Sequence, residues 1–155
     1  MSRTAGPLLK AYWQSKARDG VVPDRSAIDP SEIRGLLPDI AIVERQPDGA
    51  FRFRLAGTRI AQRCGVDPTG KVFNTEGPCQ GLVELAALLH QCASEAGAVD
   101  GNIIYFGKIN SFDRIDVSVM PLRRGGDAVE MFVLGLDFVV SADQSVGGNR
   151  RNTGS

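Results

Sequence analysis

Hydrophobic and polar positions alternate along this chain in two distinct periods, and the changes between them mark its elements. Leu8, Leu9, Tyr12 and Trp13 share one face at 3.6 residues per turn, opposite Lys10, Gln14 and Ala17, which predicts a helix from about Ala5 to Arg18. Gly20 and Pro23 stop it. Asp29 can cap a short helix that begins at Pro30, since proline lacks the N–H that would be orphaned there, and Pro38 ends it after Leu37. Two strands follow. Ile40–Glu44 is short and apolar, while Phe51 to Leu55 alternates so that Phe51, Phe53 and Leu55 share a face. Gln46, Pro47, Asp48 and Gly49 between them supply hairpin turn chemistry.

A short helix is expected from Arg59 to Arg63, closed by Gly65, followed by a turn at Asp67–Gly70. The longest helix runs from Gln80 to about Ala96, with Leu82, Leu85, Ala86, Leu89, Ala93 and Ala96 as its apolar stripe and Gly97 as its stop. Three strands complete the pattern at about Gly101–Ile109, Asp113–Leu122 and Val129–Val140, the last two joined through Arg123–Asp127. This order predicts an α+β fold: a five-stranded antiparallel sheet with helices on one face and an extra N-terminal helix. Three segments follow from it. Residues 1–25 form the amphipathic helix and a linker, 26–140 the domain, and 141–155, rich in glycine and polar residues, a tail expected to be disordered.

Composition narrows the function classes. With 155 residues, 43% of them hydrophobic, the chain can bury a sizeable core without metal or disulfides. Lys+Arg 18 balances Asp+Glu 18, so nothing points to nucleic acid or another polyanion. The apolar runs Met131–Leu136 and Phe138–Val140 fall far short of the ~20 residues of a membrane helix. The N-terminal stretch has no signal-peptide pattern. Three cysteines at irregular spacing fit a soluble cytoplasmic domain.

Four phrases then carry a family resemblance. They are Tyr12-Trp13; Ile28-Asp29-Pro30 with Leu36-Leu37-Pro38; Phe51 to Gly57-Thr58; and Gly65 to Gly70. Met120-Pro121-Leu122 and Gly135-Leu136 extend the match. Together they resemble the single-domain PAS proteins common in alphaproteobacteria, over about Leu8 to Phe138. The resemblance implies a bacterial sensory or protein-interaction domain, without catalysis, that binds a small ligand in an apolar pocket, a signalling partner, or both. By family position and alternation, Leu55, Ile60, Phe73, Leu85, Leu89, Tyr105, Val117 and Leu134 are expected near that pocket, with the Tyr105 hydroxyl offering a polar contact.

Other chemistry weighs less. His90 lies at the border of the apolar stripe and is read as an amphipathic surface residue rather than a haem ligand. Cys64, Cys79 and Cys92 include no C-x-x-C pair, and His90 and Cys92, two apart, point to different sides of a helix, so no metal site is expected. The reactive-cysteine phrase of flavin-binding PAS photosensors is absent, so no flavin is expected. Tyr105 with Asp113 and Asp116 could transfer protons in a cone-shaped isomerase-like or hydrolase-like enzyme, which is the alternative function.

The strand Val129–Val140 is apolar on both alternating faces, so both faces of the sheet should be covered. The leading helix, through Leu8, Leu9, Tyr12 and Trp13, is the expected cover for the outer face, on its own sheet or on a second copy's. A homodimer built on that surface is the expected assembly.

Overall fold

The computed structural model describes residues 4–109 and 111–140. The proposed disordered tail therefore lies outside the described residues. Its helices are α1 (Ala5–Lys16), α2 (Thr58–Cys64) and α3 (Gln80–Glu95). Its strands are β1 (Ile40–Arg45), β2 (Phe51–Ala56), β3 (Val72–Phe73), β4 (Val99–Ile104), β5 (Arg114–Arg123) and β6 (Val129–Val139). They form one antiparallel sheet in the order β3-β2-β1-β6-β5-β4. The sheet has six strands where the sequence pattern predicts five. The extra one, β3, pairs Phe73 with Phe51 and Val72 with Arg52, and two residues are too few to display an alternation.

The helix expected from Pro30 to Leu37 is instead two single 3-10 turns, Pro30–Glu32 and Leu37–Asp39. Asp29 does cap the first, accepting from the Ser31 N–H at 3.0 Å. Pro38 sits inside the second turn, where its missing N–H costs no ladder bond. At the end of α3 it is Ala96, not Gly97, that takes the left-handed conformation, with φ 51°.

Two apolar clusters lie on opposite faces of the sheet. The inner one gathers Ala41, Val43, Phe51, Phe53, Phe73, Ile115, Val117, Val119, Phe132, Leu134 and Leu136 from the strands. Ile60 and Cys64 of α2 and Leu82, Leu85, Leu89 and Cys92 of α3 cover it. The outer cluster joins Leu9 and Trp13 of α1, and Ile28 and Ile33 of the segment after it, to Ile40, Ile42, Met120, Leu122, Met131 and Val133. The two-faced apolar character of β6 is thus used in full, and α1 packs on its own sheet.

Small residues permit that packing. A Cβ on Gly135 of β6 would stand 2.8 Å from the Gly6 Cα, and one on Gly6 would stand 2.6 Å from the Ser118 hydroxyl. The first turn of α1 therefore rests directly on the sheet.

Leu55 breaks the expected alternation. In β2, Phe53 pairs with Val43 and Leu55 with Ile42, so one extra residue is inserted and the ladder shifts. Beyond the bulge Ala56 packs on the inner cluster, while Leu55 turns outward and is 53% exposed. Leu55→Ala is accordingly expected to change stability by less than about 0.5 kcal/mol in urea denaturation, as for an ordinary surface site.

Candidate functional site

The inner cluster is the place where a pocket is expected, and it is filled by aromatic rings. Phe51, Phe53, Phe73 and Phe132 are each at most 1% exposed. Their ring centroids lie 5.1 Å (Phe53 to Phe73), 5.8 Å (Phe51 to Phe132) and 5.9 Å (Phe51 to Phe73) apart. These are the separations of rings in mutual contact. Ile60, Phe73, Leu85, Leu89, Val117 and Leu134 all belong to this cluster, and Tyr105 packs against it. Seven of the eight expected pocket residues are thus brought together, as packed core, and the bulge excludes Leu55.

Tyr105 has a defined partner set. Its hydroxyl donates to the Arg63 carbonyl at 2.5 Å and accepts from the Ile109 N–H at 3.2 Å. Burial, chiefly, raises its pKa above the usual tyrosine value. A Cβ on Gly107 would fall 2.1 Å from the Tyr105 oxygen, so only glycine leaves room for this arrangement. The hydroxyl thereby ties α2 to the loop after β4.

The proton-transfer trio does not converge. Tyr105 packs on the inner cluster, whereas Asp116 alternates with Ile115 and Val117 and faces the outer side, accepting from Arg114 Nε at 2.9 Å. The Asp113 N–H, just before β5, donates to the Val139 carbonyl at 2.9 Å.

His90 packs edge-on against the buried Phe51, centroid to centroid 4.8 Å. Cys64 and Cys92 are buried, and desolvation pushes both thiols up to about 12, which keeps them protonated and unreactive.

The outer face holds more polar chemistry. Asp137 of β6 caps α1, its carboxylate accepting from the Ala5 and Gly6 N–H groups at 2.7 and 2.9 Å. Lys10 pairs with Asp100 of β4, which also accepts from the Ser118 hydroxyl at 2.7 Å. Burial works against the Asp100 charge, but Lys10 and Ser118 outweigh it and lower the pKa. The Trp13 indole N–H donates to the Pro121 carbonyl at 2.9 Å. Two clefts flank the helix. One, about 360 Å³, is lined by Lys10, Asp100, Asp116, Ser118 and Asp137, and the other, about 600 Å³, by Asp39, Arg59, Arg63, Asp137 and Phe138. Among the expected pocket residues only Val117 borders either one.

The four residues expected at a dimer interface divide. Leu9 and Trp13 are buried within the protomer, Tyr12 is half-buried and bonded to Glu32, and Leu8 is exposed. A two-fold contact through Leu9 and Trp13 would require α1 to leave its own sheet.

The segment after α1 is stitched to the far hairpin. Asp24 accepts from the Ser26 N–H at 3.0 Å and the Gly125 N–H at 2.7 Å, and these backbone bonds lower its pKa from 3.8 to about 2. A carboxylate depressed on folding stabilises above its unfolded pKa, and that stabilisation is lost as pH falls through the folded value. The Gly125 amide shift and its exchange protection should therefore hold above pH 3.8 and titrate away with a midpoint of about 2. NMR over that range checks this. A midpoint near 3.8 would contradict the bond.

Sequence reasoning missed Asp137, Asp100 and Lys10. The available signal was the interruption of the outward positions of β6 by Gly135 and Asp137, a close approach followed by a helix cap.

The comparisons with known proteins agree with this architecture. The family profile described as PAS domain matches residues 1–102. The chain belongs to the PAS domain family, a class of sensory and signalling modules. Curated proteins provide no matching relative. Among solved structures it is similar to a fungal LOV domain photoreceptor, with a TM-score of 0.50 and 15% identity over 86% of this chain and 90% of that one. That likeness supports the fold alone. Among the described residues, no helix is long and apolar enough to cross a membrane.

Proposed function

We propose that this PAS domain is a non-catalytic cytoplasmic signalling module that acts by contact with a protein partner, its interior occupied by its own side chains. The observation that carries the reading is the aromatic cluster of Phe51, Phe53, Phe73 and Phe132, together with a Tyr105 hydroxyl committed to backbone groups. A preformed receptor site would instead offer a concave apolar space with a few convergent polar groups. Separation of Tyr105 from Asp116 by the sheet supports the absence of catalysis. The edge-on contact of His90 with Phe51 and the raised thiol pKa values support a module without haem or flavin. What remains for signalling is surface.

Mass spectrometry of the purified chain, native and then denatured, tests this. The expected result is a single mass of 16.6 kDa with no stoichiometric small molecule released. A co-purifying molecule at one per chain, or an absorbance band in the visible, would overturn it.

A further inference from the structure

The outer sheet face is only partly covered. Along one cross-strand row, Leu122, Met131, Glu44, Arg52 and Val72 follow one another from β5 to β3. Along the next, Met120, Val133, Ile42 and Leu55 do the same. The β5, β6 and β1 positions of these rows, apart from Glu44, lie in the cluster beneath α1 and the segment after it. Beyond β1 the cover ends. Leu55 is 53% exposed and Val72 50%, with the exposed Arg52 and Arg54 beside them. Glu44 pairs with Arg54 at 3.2 Å and with Arg124 at 3.6 Å, while Arg52 makes no ion pair among the described residues. Two guanidinium groups thus hold one carboxylate, and a third arginine, Arg52, stands across from it in the ladder, on a chain of zero net charge.

We propose that this bare part of the sheet, centred on Arg52 and Arg54 between Leu55 and Val72, docks an acidic amphipathic segment of a partner protein. The inference rests on the reading of the chain as a module that signals by contact. Apolar anchors on such a segment cover Leu55 and Val72, and its carboxylates meet the arginines. A second copy is a poor occupant, because a two-fold contact sets the arginines of one protomer against those of the other. Nucleic acid fits less well. Three arginines, two of them held by one glutamate, fall short of the ~6–10 phosphate contacts of ordinary binders, and the two apolar side chains would find no match.

The test is a titration of the isotope-labelled full chain with a synthetic amphipathic peptide of leucine and glutamate, and with its lysine-for-glutamate counterpart. Amide shifts should cluster at Arg52, Arg54, Leu55 and Val72 with the acidic peptide only, and binding should weaken as salt rises. Arg52→Glu, at an exposed residue with no ion pair among the described residues and with Arg54 and Arg124 still holding Glu44, should weaken it ~10-fold. Absent shifts, shifts on another surface, or an equal response to the lysine peptide would overturn the docking site. So would a doubled mass in light scattering that the charge reversal abolishes, since the occupant would then be a second copy. Any of these leaves the broader reading standing. Only a bound small molecule or turnover in the intact chain ends that.

Discussion

Trp13→Ala is expected to destabilise the protein by about 3–5 kcal/mol, the cost of removing a large buried aromatic side chain. Trp13 is the widest anchor of α1, 7% exposed and packed with Leu9 against the Met120, Met131 and Val133 side of the sheet. Its truncation also leaves the Pro121 carbonyl without its indole donor. Trp13→Phe retains much of the packing and should cost about 1–2 kcal/mol, from the lost hydrogen bond and the smaller ring. Urea denaturation of both variants checks the ranking. A loss below about 1 kcal/mol for the alanine variant would mean that α1 contributes little to the fold and that the outer face does not depend on it.

Phe53→Ala should cost a similar ~3–5 kcal/mol by opening a cavity beside Phe73 in the ring cluster. The cavity's neighbours are Phe73 at 5.1 Å and Phe106 at 6.2 Å between centroids, so the space is apolar. Dry apolar cavities of this kind admit small aromatic molecules. Added benzene is therefore expected to bind the variant and raise its urea midpoint through linkage, while leaving the natural chain unchanged. If the natural chain also gained stability from benzene, its interior would hold usable space, and the reading of a filled core would fail.

These two variants report on different parts of the sequence pattern, and the difference shows what the sequence makes legible. The stripe of α3 and the face of α1 repeat often enough to identify both helices and the sides they bury, and Leu9 and Trp13 are where the spacing places them. The strands β5 and β6 are equally plain, because ten and eleven residues give long apolar stretches with a turn between them. Legibility fails where one residue decides the geometry. The inserted residue in β2 reverses Leu55 without altering the apolar count, and nothing local distinguishes a bulge from a regular strand. Two-residue β3 and the separate 3-10 turns on either side of Gly35 are too short for any periodicity.

The candidate site was legible as a set of residues but not as a function. The same alternation that gathers Ile60, Phe73, Leu85, Leu89, Val117 and Leu134 describes a pocket wall and a packed core equally well. Ring distances support the packed core proposed above, and a sequence does not contain those. Asp137 illustrates the opposite case. Its role as the cap of α1 depends on a partner more than 130 residues away along the chain.

In this fold α1 covers its own sheet while the β2–β3 portion of the same face stays open. One measurement addresses this directly: NOE spectra of an equimolar mixture of isotope-labelled and unlabelled chain, filtered to separate contacts within a chain from contacts between chains. Contacts of the Trp13 indole with Pro121 and Met131 should appear only in the intramolecular spectrum, and Leu55 and Val72 should show none to α1. Trp13 contacts in the intermolecular spectrum would contradict this arrangement, because α1 would then cover a second copy's sheet.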